Sequence, residues 1–444
     1  MIRRHRIPEG LFSALAHGAG GEPAMRFLAG TARSKHLLLT RHVVALAARI
    51  GHERAGELAE AYELLAALHE EHPAAVEQVL PHPPVGTWAL RLSRALPHKA
   101  AGPVALGYLP GMAVAAAVRA GTSVTLEFTV PQGRVVLPSL GVARLPVGRD
   151  HRATRVTVRV KNGAGEVVGA GTGAEIPDAP DRYATGWTGV RTLTARAGSR
   201  TLTVLLDDLD PYRLPESRPA PRQRPAALER WRQVLEEGWR LLVSHHRLYA
   251  EEVAAGITTF VPMHRPRGRH VSATSRHAFG AFAVSLPDDG RILASLLAHE
   301  IQHAKLWALL DLVPLTEQAV DTGRTLWYAP WREDPRPLVA LLQGAYAHLT
   351  VAAFWRVQRF LDEGEDAMRA HGEYARWRQH TSDVVDALRA SGRLTPAGEE
   401  FVAGMRETLD GWRGDDVPLT AARRARDAAS AHHRAWLERN RRGT

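Results

Sequence analysis

The chain has 444 residues, 45% hydrophobic and 23% charged, which is room for two or three domains with a sizeable core. It contains no cysteine, excluding disulfides, thiolate zinc sites, Cys-held iron–sulfur clusters and a cysteine nucleophile. The formal charge of +10 rests on arginine, since only Lys35, Lys99, Lys161 and Lys305 are lysines. The arginines are spread along the chain with abundant alanine, as GC-rich codon usage produces, and no helix-turn-helix, finger or RNA-binding signature accompanies them. No nucleic-acid partner is expected. A basic surface still attracts an acidic peptide. Residues 1–6 are basic, but Pro8, Glu9 and Gly10 follow before any apolar run, unlike a secretory signal. No run approaches a membrane span, so no membrane partner is expected and the cytoplasm is the expected compartment.

Residues 1–120 read as a helical domain. Apolar residues recur at helical spacing over 24–50, and a second amphipathic helix over 53–80 keeps Glu57, Glu60, Glu63, Glu70 and Glu71 in water. Pro73 should split that helix and Pro81-His82-Pro83-Pro84 should end it. Shorter helices are expected at 88–96 and 113–119. His36, His42, His69, His72 and His82 share no spacing and read as structural or solvated.

From residue 122 the period falls to two. Strands are expected at 122–130, 134–137, 154–160, 165–169, 190–197 and 200–206, with tight turns at Asn162-Gly163 and Gly198-Ser199. Residues 121–213 thus read as a β-rich domain. It ends in Asp207-Asp208-Leu209-Asp210, which reads as a strand end capped by Asx turns, because no calcium-loop spacing follows. A Pro- and Arg-rich linker over 214–225 leads to a third, mostly helical domain, 226–444. Its elements are a long helix at 226–255, strands at 257–261, 271–275 and 278–286, and helices at 337–361, 365–388 and from 397 onward. The fold class is α+β.

The chemistry centres on Ala298-His299-Glu300-Ile301-Gln302-His303, within a helix expected over 291–312. Asp288, Asp289 and Gly290 offer N-cap chemistry and Pro314 stops the helix. Histidines four apart share one helix face and can bind a single metal ion, with the intervening carboxylate near a metal-bound water. Ile292, Leu296, His299, His303, Leu306 and Leu310 form one stripe, which places the histidines on the face expected to be buried. A third ligand is needed. The position six beyond His303 is Leu309, which excludes the metzincin pattern, and no gluzincin helix follows. His348, polar within an apolar helix, is the candidate; a core histidine bonded to backbone is the other reading. Gln343 and Glu333 are fallback ligands. The strand at 278–286, directly before the motif helix, stands where zinc peptidases carry the edge strand that pairs with substrate.

Four stretches resemble the HEXXH peptide-modification family: Ser285–Leu286–Pro287, Leu297 to His303, Tyr328-Ala329-Pro330-Trp331-Arg332-Glu333-Asp334-Pro335-Arg336-Pro337-Leu338, and Leu341 to Leu349. Phe12 to Ala16, Ser34 to Leu39 and Leu205 to Arg213 are similar to the same family, so the resemblance spans most of the chain. Such proteins occur alone or fused behind radical-SAM enzymes, in gene clusters for ribosomally made, modified peptides. With no cysteine, this chain carries no radical-SAM half. The resemblance implies Fe(II) and 2-oxoglutarate chemistry, with β-hydroxylation of a residue in a precursor peptide substrate. Imidazole suits Fe(II) as well as zinc, although an all-histidine face departs from the usual two histidines and one carboxylate. Arg332 or Arg336 would bind the co-substrate's distal carboxylate, or else brace the loop against Glu333 or Asp334. The alternatives are a zinc metallopeptidase with Glu300 as general base and a non-catalytic peptide-binding partner of another maturation enzyme.

Overall fold

The structure, a computed structural model, describes residues 5–98, 102–148, 153–179, 181–214, 219–317 and 325–440. Residues 1–4 of the basic opening, Lys99 and residues 215–218 of the linker lie outside the described residues. The fold is α+β, with helical N- and C-terminal regions around a β-rich middle.

The N-terminal helices run Glu9–Ala16, Gly21–Arg49, Ala55–Glu71, Pro73–Val76, Pro83–Ala95 and Tyr108–Ala120, with a break at Pro73 as expected. Three strands escape the alternation test because they are short or glycine-rich: Gly141–Arg144, Thr172–Ile176 and Trp187–Gly189. The middle forms an antiparallel four-stranded sheet, Val124–Val130, Thr154–Lys161, Ala164–Gly169 and Thr172–Ile176, and a three-stranded one, Arg134–Leu137, Gly141–Arg144 and Trp187–Gly189. Their inward residues Phe128, Val142 and Val158 share one core with Trp88, Leu109 and Val114 of the helices. The helical start and the sheets therefore close on each other, since neither a helix stripe nor a sheet face is stable uncovered.

The hairpin Arg191–Ala197 and Arg200–Leu206 joins a different sheet. Its order is Ser272–Ala273, Ala281–Val284, Thr259–Pro262, Arg200–Leu206, Arg191–Ala197, with parallel pairing on both sides of Thr259–Pro262. Leu193, Val204, Phe260 and Phe282 pack beneath Trp231, Trp239 and Leu242 of helix Pro225–His245 and beneath Leu293, Leu297 and Ile301 of the motif helix, Gly290–Leu310. The long helix expected over 226–255 breaks at His246, where Arg247–Gly256 begins. Gly290 sits against Glu237 and Gly238, where an added Cβ would fall 2.3 Å from Glu237 Cβ, so this helix crossing requires glycine.

A third core joins helices Leu338–Gln358, Gly364–Ala390 and Pro396–Asp410 to the far end of the motif helix and to Phe12 and Leu15 of the first helix. The Tyr346 hydroxyl donates to Leu15 O at 2.7 Å. Helix Leu338–Gln358 is long and apolar enough to cross a membrane by length and composition, contrary to the sequence expectation. Its window is 78% buried within the protein, the position of a core helix.

Lys305 and Glu252 form a fully buried ion pair, both side chains 0% exposed and 2.7 Å apart. Glu252 also accepts from Gly21 N and Gln302 Nε2 at 3.2 Å each, and Lys305 donates to Gly18 O at 3.4 Å. Burial pushes the carboxyl up and the ammonium down, and each partner offsets the other's shift. Lys305→Met, which leaves Glu252 unpaired, is expected to cost about 3–5 kcal/mol. The double change with Glu252→Gln should recover most of that loss, as read by urea unfolding. An additive double variant would mean that the two groups are not coupled.

Candidate metal centre

The Asp289 side chain caps the motif helix by accepting from Ile292 N at 2.8 Å. The helix is apolar on most of its surface, and its fully buried face runs through Leu293, Leu297, Ile301 and Ala304. Ile292, Leu296, His299, His303 and Leu310 are only half-buried. This corrects the expected stripe: the histidines face a cleft, because two neighbouring cores claim the rest of the helix, one through Leu293, Leu297 and Ile301 and the other through Leu306 and Leu309. The cleft holds about 880 Å³ and is lined by both histidines, Glu300, His348, Trp331 and Arg336, among others.

His299 Nε2 and His303 Nε2 lie 3.2 Å apart. Two nitrogens bound to one metal at about 2.0–2.1 Å are separated by about 2.9 Å in octahedral and about 3.4 Å in tetrahedral geometry, so this spacing, which without a metal is a hydrogen bond donated by His299 Nε2 to His303 Nε2, also fits a chelating pair. His303 Nδ1 meets Gln343 Oε1 at 3.0 Å. An amide oxygen accepts, so the Nδ1 proton is fixed there and Nε2 keeps its lone pair for the cleft. Gln343, a fallback ligand by sequence, thus touches the far side of the imidazole. Burial and the neighbouring His303 push His299 down to about 4, leaving the imidazole neutral and able to ligate at pH 7.

His348 reaches the same cleft from helix Leu338–Gln358, its ring centroid 5.1 Å from that of His299. Its Nδ1 donates to Gly344 O at 2.8 Å, which leaves Nε2 as the ring nitrogen without a proton. Burial, followed by the proximity of His299, drives its pKa well down. Trp331 stacks on the ring at 4.4 Å and 13°, and Trp377 covers it at 4.4 Å. The ligand atoms of His299, His303 and His348 are not drawn as tightly together as those of His82, Asp207 and Asp210, which all lie within 4.8 Å of one another. A backbone-bonded core histidine and a ligand oriented by a backbone carbonyl share this geometry. Glu333, the other fallback, pairs with Arg439 at 3.2 Å on the exposed rim.

Gly344 makes the Trp331 stack possible, since a Cβ there would lie 2.2 Å from Trp331 Cζ2. Gly344→Ala should displace the indole from His348, cost about 1–3 kcal/mol of stability and weaken metal binding. Wild-type melting temperature and metal affinity in that variant would show that the stack does not hold His348.

Glu300 is 3% exposed, and both of its oxygens are taken. Ser272 Oγ donates to Oε1 at 2.7 Å and Thr274 Oγ1 to Oε2 at 2.6 Å. These hydroxyls flank the outermost strand of the five-stranded sheet. The edge is therefore Ser272–Ala273, and the strand before the motif helix, Ala281–Val284, lies inside the sheet. The expectation of an edge at 278–286 rests on its place directly before the motif helix, and chain order does not fix strand order in a sheet. Ser272, Ala273 and Thr274 line the cleft.

Arg332 and Arg336 both grip Asp334, Arg332 Nε to Oδ1 at 3.0 Å and Arg336 Nη1 to Oδ2 at 2.9 Å. They brace the loop, whose ends pair at Trp327 and Arg336, and they also line the cleft. The two cations outnumber their shared carboxylate, and Arg269 and Arg376 add positive charge to the walls. The C-terminal helix Leu419–Asn440 closes one side, with Tyr328 Oη and His432 Nδ1 at 2.9 Å. Sequence reading missed Ser272, Thr274, Trp377, Arg376 and His432 as wall residues. Trp331 stands in the sequence only as part of the Tyr328 to Leu338 stretch that carries the family resemblance. The arrangement can hold one cation on neutral imidazoles and an anion on its arginine wall. Compared with known proteins, the chain matches no family model and no curated sequence.

Proposed function

We propose that the protein is an Fe(II)- and 2-oxoglutarate-dependent enzyme that hydroxylates the β-carbon of a residue in a ribosomally made precursor peptide, in the cytoplasm. The observation that carries this reading is the Nε2 pair of His299 and His303, 3.2 Å apart in a cleft lined by Arg269, Arg332, Arg336 and Arg376 against the carboxylates of Glu300, Glu333 and Asp334. His299, His303 and His348 would hold the metal. When bound, iron with 2-oxoglutarate and dioxygen supplies insertion of one oxygen atom into a C–H bond, the other oxygen passing to succinate as carbon dioxide leaves.

The chain's own residues do the rest. Gln343 holds the His303 proton on Nδ1, and Gly344 O holds that of His348. Arg332 and Arg336 offer guanidinium groups to the distal carboxylate of the dianionic co-substrate, with Asp334 keeping both in place. The outer side of Ser272–Ala273 faces the cleft as an unpaired strand edge, suited to an extended peptide. Trp331 and Trp377 keep water from one side of His348. Glu300, engaged by two hydroxyls, serves in this reading as a positioning residue that ties the motif helix to the peptide edge.

The test is metal analysis after anaerobic purification, together with succinate formation from 2-oxoglutarate in the presence of a precursor peptide encoded beside the gene. Iron and peptide-dependent succinate are expected. Zinc with metal-dependent backbone cleavage would replace this reading with a peptidase, for which the same strand edge would serve.

A further inference from the structure

A second cluster of metal-ligating side chains lies away from the cleft, where the helical region, the β-rich middle and the five-stranded sheet meet. His82 precedes helix Pro83–Ala95, and Asp207 and Asp210 belong to the turn that leaves strand Arg200–Leu206. None of the three lines the cleft. The turn has the expected Asx geometry, with Asp207 Oδ1 accepting from Leu209 N at 3.0 Å and Asp210 N at 2.9 Å. Asp210 Oδ1 accepts from Tyr212 N at 2.8 Å, and its Oδ2 accepts from the Tyr108 hydroxyl at 2.7 Å.

Those bonds leave two polar atoms without a hydrogen-bond partner, Asp207 Oδ2 and His82 Nε2. They face each other at 3.4 Å, on side chains 0% and 2% exposed. One ligand atom from each of His82, Asp207 and Asp210 falls within 4.8 Å of the others. An imidazole nitrogen and a carboxylate oxygen bound to one zinc at about 2.0–2.2 Å would stand about 3.4 Å apart. Two carboxylates beside one imidazole also leave a buried charge imbalance. Arg134, which donates to Leu209 O at 2.8 Å, relieves it only in part.

We propose that His82 Nε2, Asp207 Oδ2 and the Asp210 carboxylate form a structural divalent-cation site that clasps the three regions. Zinc suits the N/O donor set, and its two charges match the two carboxylates. Asp207 N donates to Phe260 O at 2.8 Å, so the clasp bears directly on the sheet behind the motif helix. The Tyr108 ring stacks on Trp88 and meets Tyr212 edge-on beside the cluster, and the fourth zinc position falls to the second oxygen of one carboxylate. A cation held only by the folded chain adds its binding free energy to stability.

The test separates this site from the motif. The His299→Ala/His303→Ala variant, with the motif site removed, is dialysed and its metal measured. About one equivalent of zinc per chain is expected, lost when Asp207→Asn is added. Because Asp207→Asn could unfold the protein, the chelator-stripped double variant is also titrated with zinc. A rise in melting temperature is expected, and cobalt(II) should give visible absorption of a nitrogen- and oxygen-ligated ion. A double variant that retains no metal and neither melts higher with zinc nor colours with cobalt would overturn the proposal and leave a buried ion pair. A motif that binds no metal would show instead as wild-type and double-variant proteins of equal metal content.

Discussion

His299→Ala and His303→Ala are each expected to remove the metal of the motif site and to bring peptide-dependent succinate formation to background. Each imidazole supplies an Nε2 whose one partner is the other's Nε2, 3.2 Å away, so either truncation leaves a single nitrogen that no longer chelates. Losing an outer-sphere partner of a metal ligand costs roughly 10–100-fold in affinity, and losing a ligand from a set of three should exceed that. Folding should survive, because both side chains are half-buried while the helix is anchored by Leu293, Leu297 and Ile301. Circular dichroism and urea unfolding serve as controls. Metal content is compared between each single variant and wild type, since the His82 cluster would contribute equally to all. Unchanged metal and turnover in both variants would sink the assignment of the motif.

Glu300→Gln is expected to keep 2-oxoglutarate turnover and to yield a peptide heavier by one oxygen, with a loss no greater than roughly 10–100-fold. The carboxylate accepts from Ser272 and Thr274, and hydroxyls can donate or accept. A glutamine of nearly the same shape therefore keeps the link between motif helix and strand edge once one hydroxyl turns. In a zinc peptidase the same carboxylate takes the proton of the attacking water, and its loss removes roughly 100- to 10,000-fold. Mass spectrometry of the peptide distinguishes the two by product as well as by rate. Backbone cleavage by wild type that disappears in Glu300→Gln would hand the site to the peptidase.

Local structure is legible in the residues wherever side chains repeat with a clear period or carry cap chemistry. The motif helix with its Asp289 cap, the break at Pro73 and strands such as Arg134–Leu137 and Arg200–Leu206 are legible because each depends on neighbours within a few residues. The approach of His299 and His303 is of the same kind, since helix pitch alone puts residues four apart on one face. What surrounds them depends on packing between distant segments. That the histidine face is a cleft and not a core follows from two separate cores taking the remaining faces of the helix, which no stripe in a single segment records. That Ser272–Ala273 is the sheet edge, and that its hydroxyls hold Glu300, follows from strand order, and periodicity does not encode order. Trp331 on His348 depends on Gly344, and the pairing of Lys305 with Glu252 joins residues 53 positions apart. His82 shows the limit most plainly: as one histidine in a proline-rich stretch it has no pattern, and its partners Asp207 and Asp210 lie beyond a whole β-region. Local chemistry is set by the covalent chain and its short periods, whereas a site assembled across long loops exists only once burial has brought its walls together.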